Sequence, residues 1–180
     1  MQVVAGVLGI VAYGFLIYGI TQSKSEQSFA AFLLWGMLDS IATVTTILEH
    51  GNFWLPLSNA IGSSVITLLL VVKKQVRWSR VETLTALLVI VCLAVWYTSG
   101  ETAGIVASSL AVVIASIPQM RETWHDPVAT PKGAYFVFLS ANVVSFIAAK
   151  DWSLKEFFYP SCSIFLCTVI LGFSFKKPTK

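Results

Sequence analysis

Apolar positions along this chain come in long, nearly unbroken runs and do not alternate with polar ones. Charge-free stretches cover residues 1–23, 51–72, 83–100, 102–120, 133–149 and 157–175, and residues 27–48 form an equally long stretch with one charge, Asp39. A helix rises about 1.5 Å per residue, so each run is near the ~20 residues that cross a ~30 Å hydrocarbon layer. The pattern therefore predicts an all-α membrane protein of seven transmembrane helices, with connections too short to form a soluble domain.

The runs also repeat. Residues 1–74 and 101–180 each read as three apolar segments with matching punctuation; Asp39 and Asn142 occupy the same register, and the pairs Lys73-Lys74 and Lys176-Lys177 lie the same 103 residues apart. Three spans are an odd number, so direct fusion would leave the halves upside down relative to one another. The additional span at residues 81–100, within a linker region 75–100, restores a common orientation and predicts two parallel three-helix bundles joined by a linker helix. Such a duplication points to a transporter whose site lies between the repeats.

Composition supports the lipid assignment and adds orientation. The 180 residues are 56% hydrophobic and 12% charged, too little charge to cover a soluble globule. With the N-terminus outside, Lys24, Lys73, Lys74, Arg77, Arg80, Arg121, Lys132, Lys176, Lys177 and Lys180 fall on the cytoplasmic side, against Lys150 and Lys155 on the other. That bias predicts a multi-pass protein with its N-terminus outside and C-terminus in the cytoplasm. Trp54, Trp96, Tyr97 and Trp152 would form an outer aromatic belt, and Trp78 and Trp124 an inner one. No basic residue precedes Lys24 and no cleavage pattern follows the first run, so it reads as a retained helix. Without further targeting sequence, a bacterial inner membrane fits. The loop from Lys73 to Arg80 reads first as a plain topology determinant, with a contact for anionic lipid heads as the alternative.

Asp39 is the candidate that carries most chemistry. An ionisable group near the bilayer centre costs ~2.5–3.5 kcal/mol even on the lenient insertion scale, so it marks a solute pathway or a proton relay, with interhelical hydrogen bonding as the plainer alternative. Trp35, Asp39, Thr43 and Thr46 share one helical face, and Phe138, Asn142 and Ser145 repeat it. Pro56 and Pro160 lie near the starts of their spans, where a missing donor costs little, whereas Pro118 falls at the end of span 5 and would bend it. Tyr13 and Tyr18 are read first as packing residues, with cavity lining by their hydroxyls as the alternative. Cys92, Cys162 and Cys167 lie in apolar runs and read as packing.

Pro118-Gln119 at the end of a span, then Arg121, then Thr130-Pro131-Lys132-Gly133 before the next span, resembles the PQ-loop signature. With the 3+1+3 layout, the whole chain resembles the PQ-loop superfamily, which includes the SWEET sugar transporters. In the first half Thr21-Gln22 stands in place of Pro118-Gln119, followed by a similar Lys24-Ser25-Glu26-Gln27-Ser28 loop. The resemblance implies hinges at Pro118, Gln119, Thr21 and Gln22, and a site asparagine at Asn59, whose counterpart after Pro160 is Ser163. The sugar-stacking tryptophan position of the family falls near Thr43 and Phe146, neither of which carries that ring.

The expected site is thus a midplane pocket of Asp39, Thr43, Asn59, Asn142 and Ser163, with Asp39 as the proton-coupling group. The expected function is alternating-access transport of a small polar solute such as a sugar or an amino acid. A ligand receptor or sensor on the same scaffold is the alternative. His50 and His125 lie on opposite sides and cannot share a metal, Glu122, His125 and Asp126 read as a solvated turn, and no nucleophile sits beside a base. No enzyme activity, cofactor or nucleic-acid partner is expected; association into a homo-oligomer is left open.

Overall fold

A computed structural model describes residues 1–22, 27–48, 51–99, 101–150 and 153–177. Among them the chain forms α1 (Gln2–Thr21), α2 (Phe29–Leu48), α3 (Trp54–Val72), α4 (Arg80–Ser99), α5 (Glu101–Ala115), α6 (Ile117–His125), α7 (Lys132–Ile147) and α8 (Leu154–Ser174), with no strand. Lys24 to Glu26, His50, Trp152 and Lys180 lie outside the described residues, as do the side chains of Cys92, Trp96 and Lys155. Three helices, Gln2–Thr21, Trp54–Val72 and Glu156–Ser174, are long and apolar enough to cross a membrane. The apolar helices Phe29–Val44 and Lys132–Ile147 are shorter.

Helix α1 shows how the sequence sorts itself. Ala5, Gly9, Ala12, Leu16 and Ile20 recur at helical spacing and are buried, while Val3, Val7, Ile10, Val11 and Phe15 between them are exposed. Over the first half of the helix small residues lie inside and large apolar ones outside, the reverse of a water-soluble helix, and small contact residues let backbones approach closely. The approach is tight against α3. A Cβ on Gly6 would meet the Trp54 carbonyl at 2.9 Å, and one on Gly62 would fall into the ring of Tyr13. Gly62→Ala is therefore expected to cost about 1–3 kcal/mol by overpacking. Gly14→Ala, with nothing within 4 Å of the added carbon, serves as the control, and thermal unfolding in detergent compares the two.

Local signals set the other boundaries. Ser79 and Glu82 form a capping box at the start of α4, with Glu82 Oε2 accepting from the Ser79 N–H at 2.7 Å and from its hydroxyl, and Ser79 Oγ accepting from the Val81 N–H. The run expected to be span 5 is two helices, α5 and α6, that break at Ser116, with Pro118 second in α6, where its missing N–H is cheapest. Two expectations are corrected here. Glu122 and His125 belong to α6 and not to a turn, because the helix outlasts the apolar run; only Asp126 leaves it, its Oδ1 accepting from the Val128 and Ala129 N–H groups at 3.2 Å. Pro160 lies inside α8 and not near its start, because that helix begins at Leu154, ahead of the apolar run.

Helix α3 packs on both α1 and α2, and α8 packs on both α5 and α7. Between these groups α1 packs on α7 and α2 on α5, while α4 rests mainly on α5 and α6 on α8. On α4, Leu84, Leu87, Ile90 and Val91 remain exposed. The main core runs from Tyr13, Trp35 and Phe138 to Ile20, Phe32, Leu70, Tyr135 and Ile170. At the opposite end, among the described residues, a small cluster of Ala5, Leu55 and Ala141 forms. Among the described residues one end is thus packed more densely than the other.

Candidate functional site

The denser core stops at a chamber walled by both halves of the chain. Helix α2 brings Trp35 and Asp39, one turn apart, and α7 brings Phe138 and Asn142 at the same spacing and 103 residues later. Helix α3 contributes Asn59, and α8 contributes Tyr159, Ser163 and Cys167 from one face. Tyr13 of α1, Val112 of α5 and Tyr135 of α7 complete the walls. The cavity volume is about 40 Å³, room for a few waters and far below the ~300 Å³ at which small-molecule clefts begin.

Four of the five residues expected at a pocket, Asp39, Asn59, Asn142 and Ser163, are brought together. Thr43 is buried but does not line the chamber: its hydroxyl donates back to the Asp39 carbonyl of its own helix at 2.6 Å. Tyr13 lines the chamber and shares a 2.7 Å hydrogen bond with Ser63, whereas Tyr18 is exposed.

The residue that organises the site was not foreseen. Tyr159 donates its hydroxyl proton to Asp39 Oδ1 at 2.5 Å and accepts from Asn59 Nδ2 at 3.2 Å. Helices α2, α3 and α8 are thereby joined through one phenol oxygen, across 120 residues of sequence on the Asp39 side. A signal for it existed, because Tyr159 stands four residues before Ser163 on one helical face. Placing the start of span 7 at residue 157 put it at the interface instead; α8 begins earlier and carries it inward.

A second polar layer closes the dense end. Gln119, fully buried, accepts the Ser28 N–H on Oε1 at 2.8 Å, just before α2 begins. Its Nε2 faces Thr123 Oγ1 at 3.5 Å, which also accepts from Thr130 Oγ1 at 3.1 Å. Tyr135 donates to Gln27 Oε1 at 3.0 Å, and Trp35 Nε1 donates to Ser116 Oγ at 3.1 Å. These bonds tie the start of α2 to α6 and α7. Thr21 and Gln22 take no such part; both are exposed, and the Thr21 hydroxyl donates to the Tyr18 carbonyl at 2.9 Å. The two hinge candidates therefore occupy different environments, because Gln119 sits on a helix that continues inward past it while α1 has ended at Gln22.

Outside the chamber, Lys176 Nζ lies 3.6 Å from the centre of the Trp124 ring and Lys132 Nζ lies 4.7 Å from that of Phe175. Among the described residues no group of three His, Cys, Asp or Glu side chains is placed to hold a metal ion. No family model matches the chain, and no curated protein or solved structure is significantly similar to it.

Proposed function

We propose that the chain is a seven-span carrier of the PQ-loop type that alternately exposes the chamber to the two sides of a membrane and moves a small polar solute. In this reading residues 1–74 and 101–180 are parallel three-helix bundles and α4 is the linker that makes them parallel. The helix contacts support it. Exchanging α1, α2 and α3 for α5, α7 and α8 turns the α1–α3 contact into α5–α8, α2–α3 into α7–α8, and α1–α7 into α5–α2. The N-terminus is placed outside and the C-terminus in the cytoplasm by the basic residues, so the dense end with Gln119 faces the cytoplasm.

The observation that carries the proposal is the chamber itself. A carboxylate and two side-chain amides are buried together where helices of both halves meet. Polar groups at that depth are costly unless a pathway uses them. Asp39 is the proton-coupling group in this scheme, and Pro118-Gln119 the point about which the cytoplasmic ends open.

Counterflow in proteoliposomes tests the reading. Vesicles preloaded with unlabelled solute are expected to concentrate the labelled solute transiently, at a rate that changes between two pH values. Stoichiometric binding without lumenal accumulation, across a panel of sugars, amino acids and amines, would instead identify a receptor.

A further inference from the structure

The polar capacity left unused in the chamber is mostly of one kind, the hydroxyl of Ser163, which can donate or accept, being the exception. Tyr159 donates to Asp39, so its oxygen can only accept from Asn59, which turns the Asn59 NH2 toward it and Oδ1 away. Asn142 Nδ2 donates at 2.8 Å to the Phe138 carbonyl, a group that only accepts, which turns Asn142 in the same sense. Both amide orientations follow from the partners' chemistry. Both leave a buried oxygen without a hydrogen bond, on residues 8% and 2% exposed. The larger donors on the same walls are engaged elsewhere, Trp35 on Ser116 and Tyr135 on Gln27. Among the described lining residues there is no Lys, Arg or His.

A carboxylate with two unpaired carbonyl oxygens, and no cation to balance it, calls for a positively charged occupant rich in N–H donors. The aromatic rings of Trp35, Tyr135 and Phe138 in the wall add faces that attract a cation. We infer that the chamber binds a small monovalent organic cation carrying N–H groups, a guanidinium or a primary ammonium, and that Asp39 exchanges this cation for a proton. The inference rests on the carrier reading and names its substrate class.

Exchange follows from counting charge. Lining the chamber with Asp39 are Tyr13 of α1, Tyr135 of α7, and Tyr159 and Cys167 of α8, none of which carries charge while protonated; α3 and α5 present Asn59 and Val112, which do not titrate. One negative charge neutralises one proton or one cation and not both. On one side the cation enters, the Asp39 O–H bond breaks and the proton leaves to that water. On the other side the cation departs and a proton from that water takes its place. One positive charge moves each way, so the cycle is electroneutral.

Counterflow of labelled methylguanidinium, which has no neutral form near pH 7 to leak through lipid, is compared with xylitol and with tetramethylammonium, a cation lacking N–H groups. Methylguanidinium is expected to exchange at least tenfold faster than in protein-free vesicles, and the other two at the protein-free rate. An acidic lumen should accelerate its uptake and an alkaline lumen slow it. Asn142→Leu, which removes one unpaired acceptor, should weaken its binding about tenfold. Exchange of xylitol without methylguanidinium, or equal exchange of tetramethylammonium, would overturn the assignment while leaving the carrier standing. Calorimetric titration of the detergent-solubilised protein separates the other failure: methylguanidinium bound but never exchanged would retain the site and end the carrier reading.

Discussion

Asp39→Asn is expected to slow solute exchange at least ~100-fold and to flatten its dependence on pH. The amide has the shape of the carboxylate, and its oxygen still accepts from the Tyr159 hydroxyl that Asp39 Oδ1 now engages. The fold should therefore persist. What is lost is the charge. Two opposite unit charges 4 Å apart gain about 4 kcal/mol at an effective dielectric near 20, and a hydrogen bond to a charged group contributes ~1.5–3 kcal/mol. Each 1.4 kcal/mol is about tenfold, so two decades remain after a generous discount. An amide also exchanges no proton in the ordinary range, which removes the pH dependence at its source. Thr43→Val is the matched control, since that hydroxyl serves only its own helix and exchange should stay within about twofold. Should Asp39→Asn keep the wild-type rate and pH profile, Asp39 would be a structural link between helices and nothing more.

Gln119→Ala is expected to open the dense end. In the closed form its side chain satisfies the Ser28 N–H inside a region that excludes solvent. Truncation leaves that donor unpaired, at about 1–3 kcal/mol. Once the end opens, water reaches the same N–H and the penalty disappears. The balance between closed and open forms therefore shifts by roughly tenfold toward open. Cys167 reports it, being buried and part of the chamber wall. In a Cys92→Ser, Cys162→Ser background, a water-soluble maleimide applied from the α6 side should label Cys167 about tenfold faster. Gln22→Ala should leave labelling unchanged, because Gln22 is exposed and contributes nothing to the closed layer. Equal labelling in wild type and Gln119→Ala would remove the hinge from the dense end.

Both expectations depend on which polar groups meet, and that was only partly legible in the chain. The 103-residue register of Asp39 with Asn142 and of Trp35 with Phe138 could be read directly, because side chains four apart on a helix share a face whatever surrounds it. Thr43 obeys the same rule and was placed with them, yet its hydroxyl returns to the backbone of its own turn. Helical periodicity states a direction and not a partner. Gln22 and Gln119 show the same limit: similar dipeptide positions end as one exposed side chain and one fully buried one.

The sequence by itself determined that the described chain is helical, that three of its described helices are long and apolar enough to cross a membrane, and that one acid lies in an apolar run. These are local properties, additive along the chain, so hydrophobicity and spacing suffice to state them. Tertiary structure alone decided that Tyr159 joins Asp39 to Asn59, that Gln119 satisfies Ser28, and that the amide oxygens of Asn59 and Asn142 are buried without partners. A hydrogen bond is pairwise and directional, and its partner lies wherever packing brings a second helix within about 3 Å.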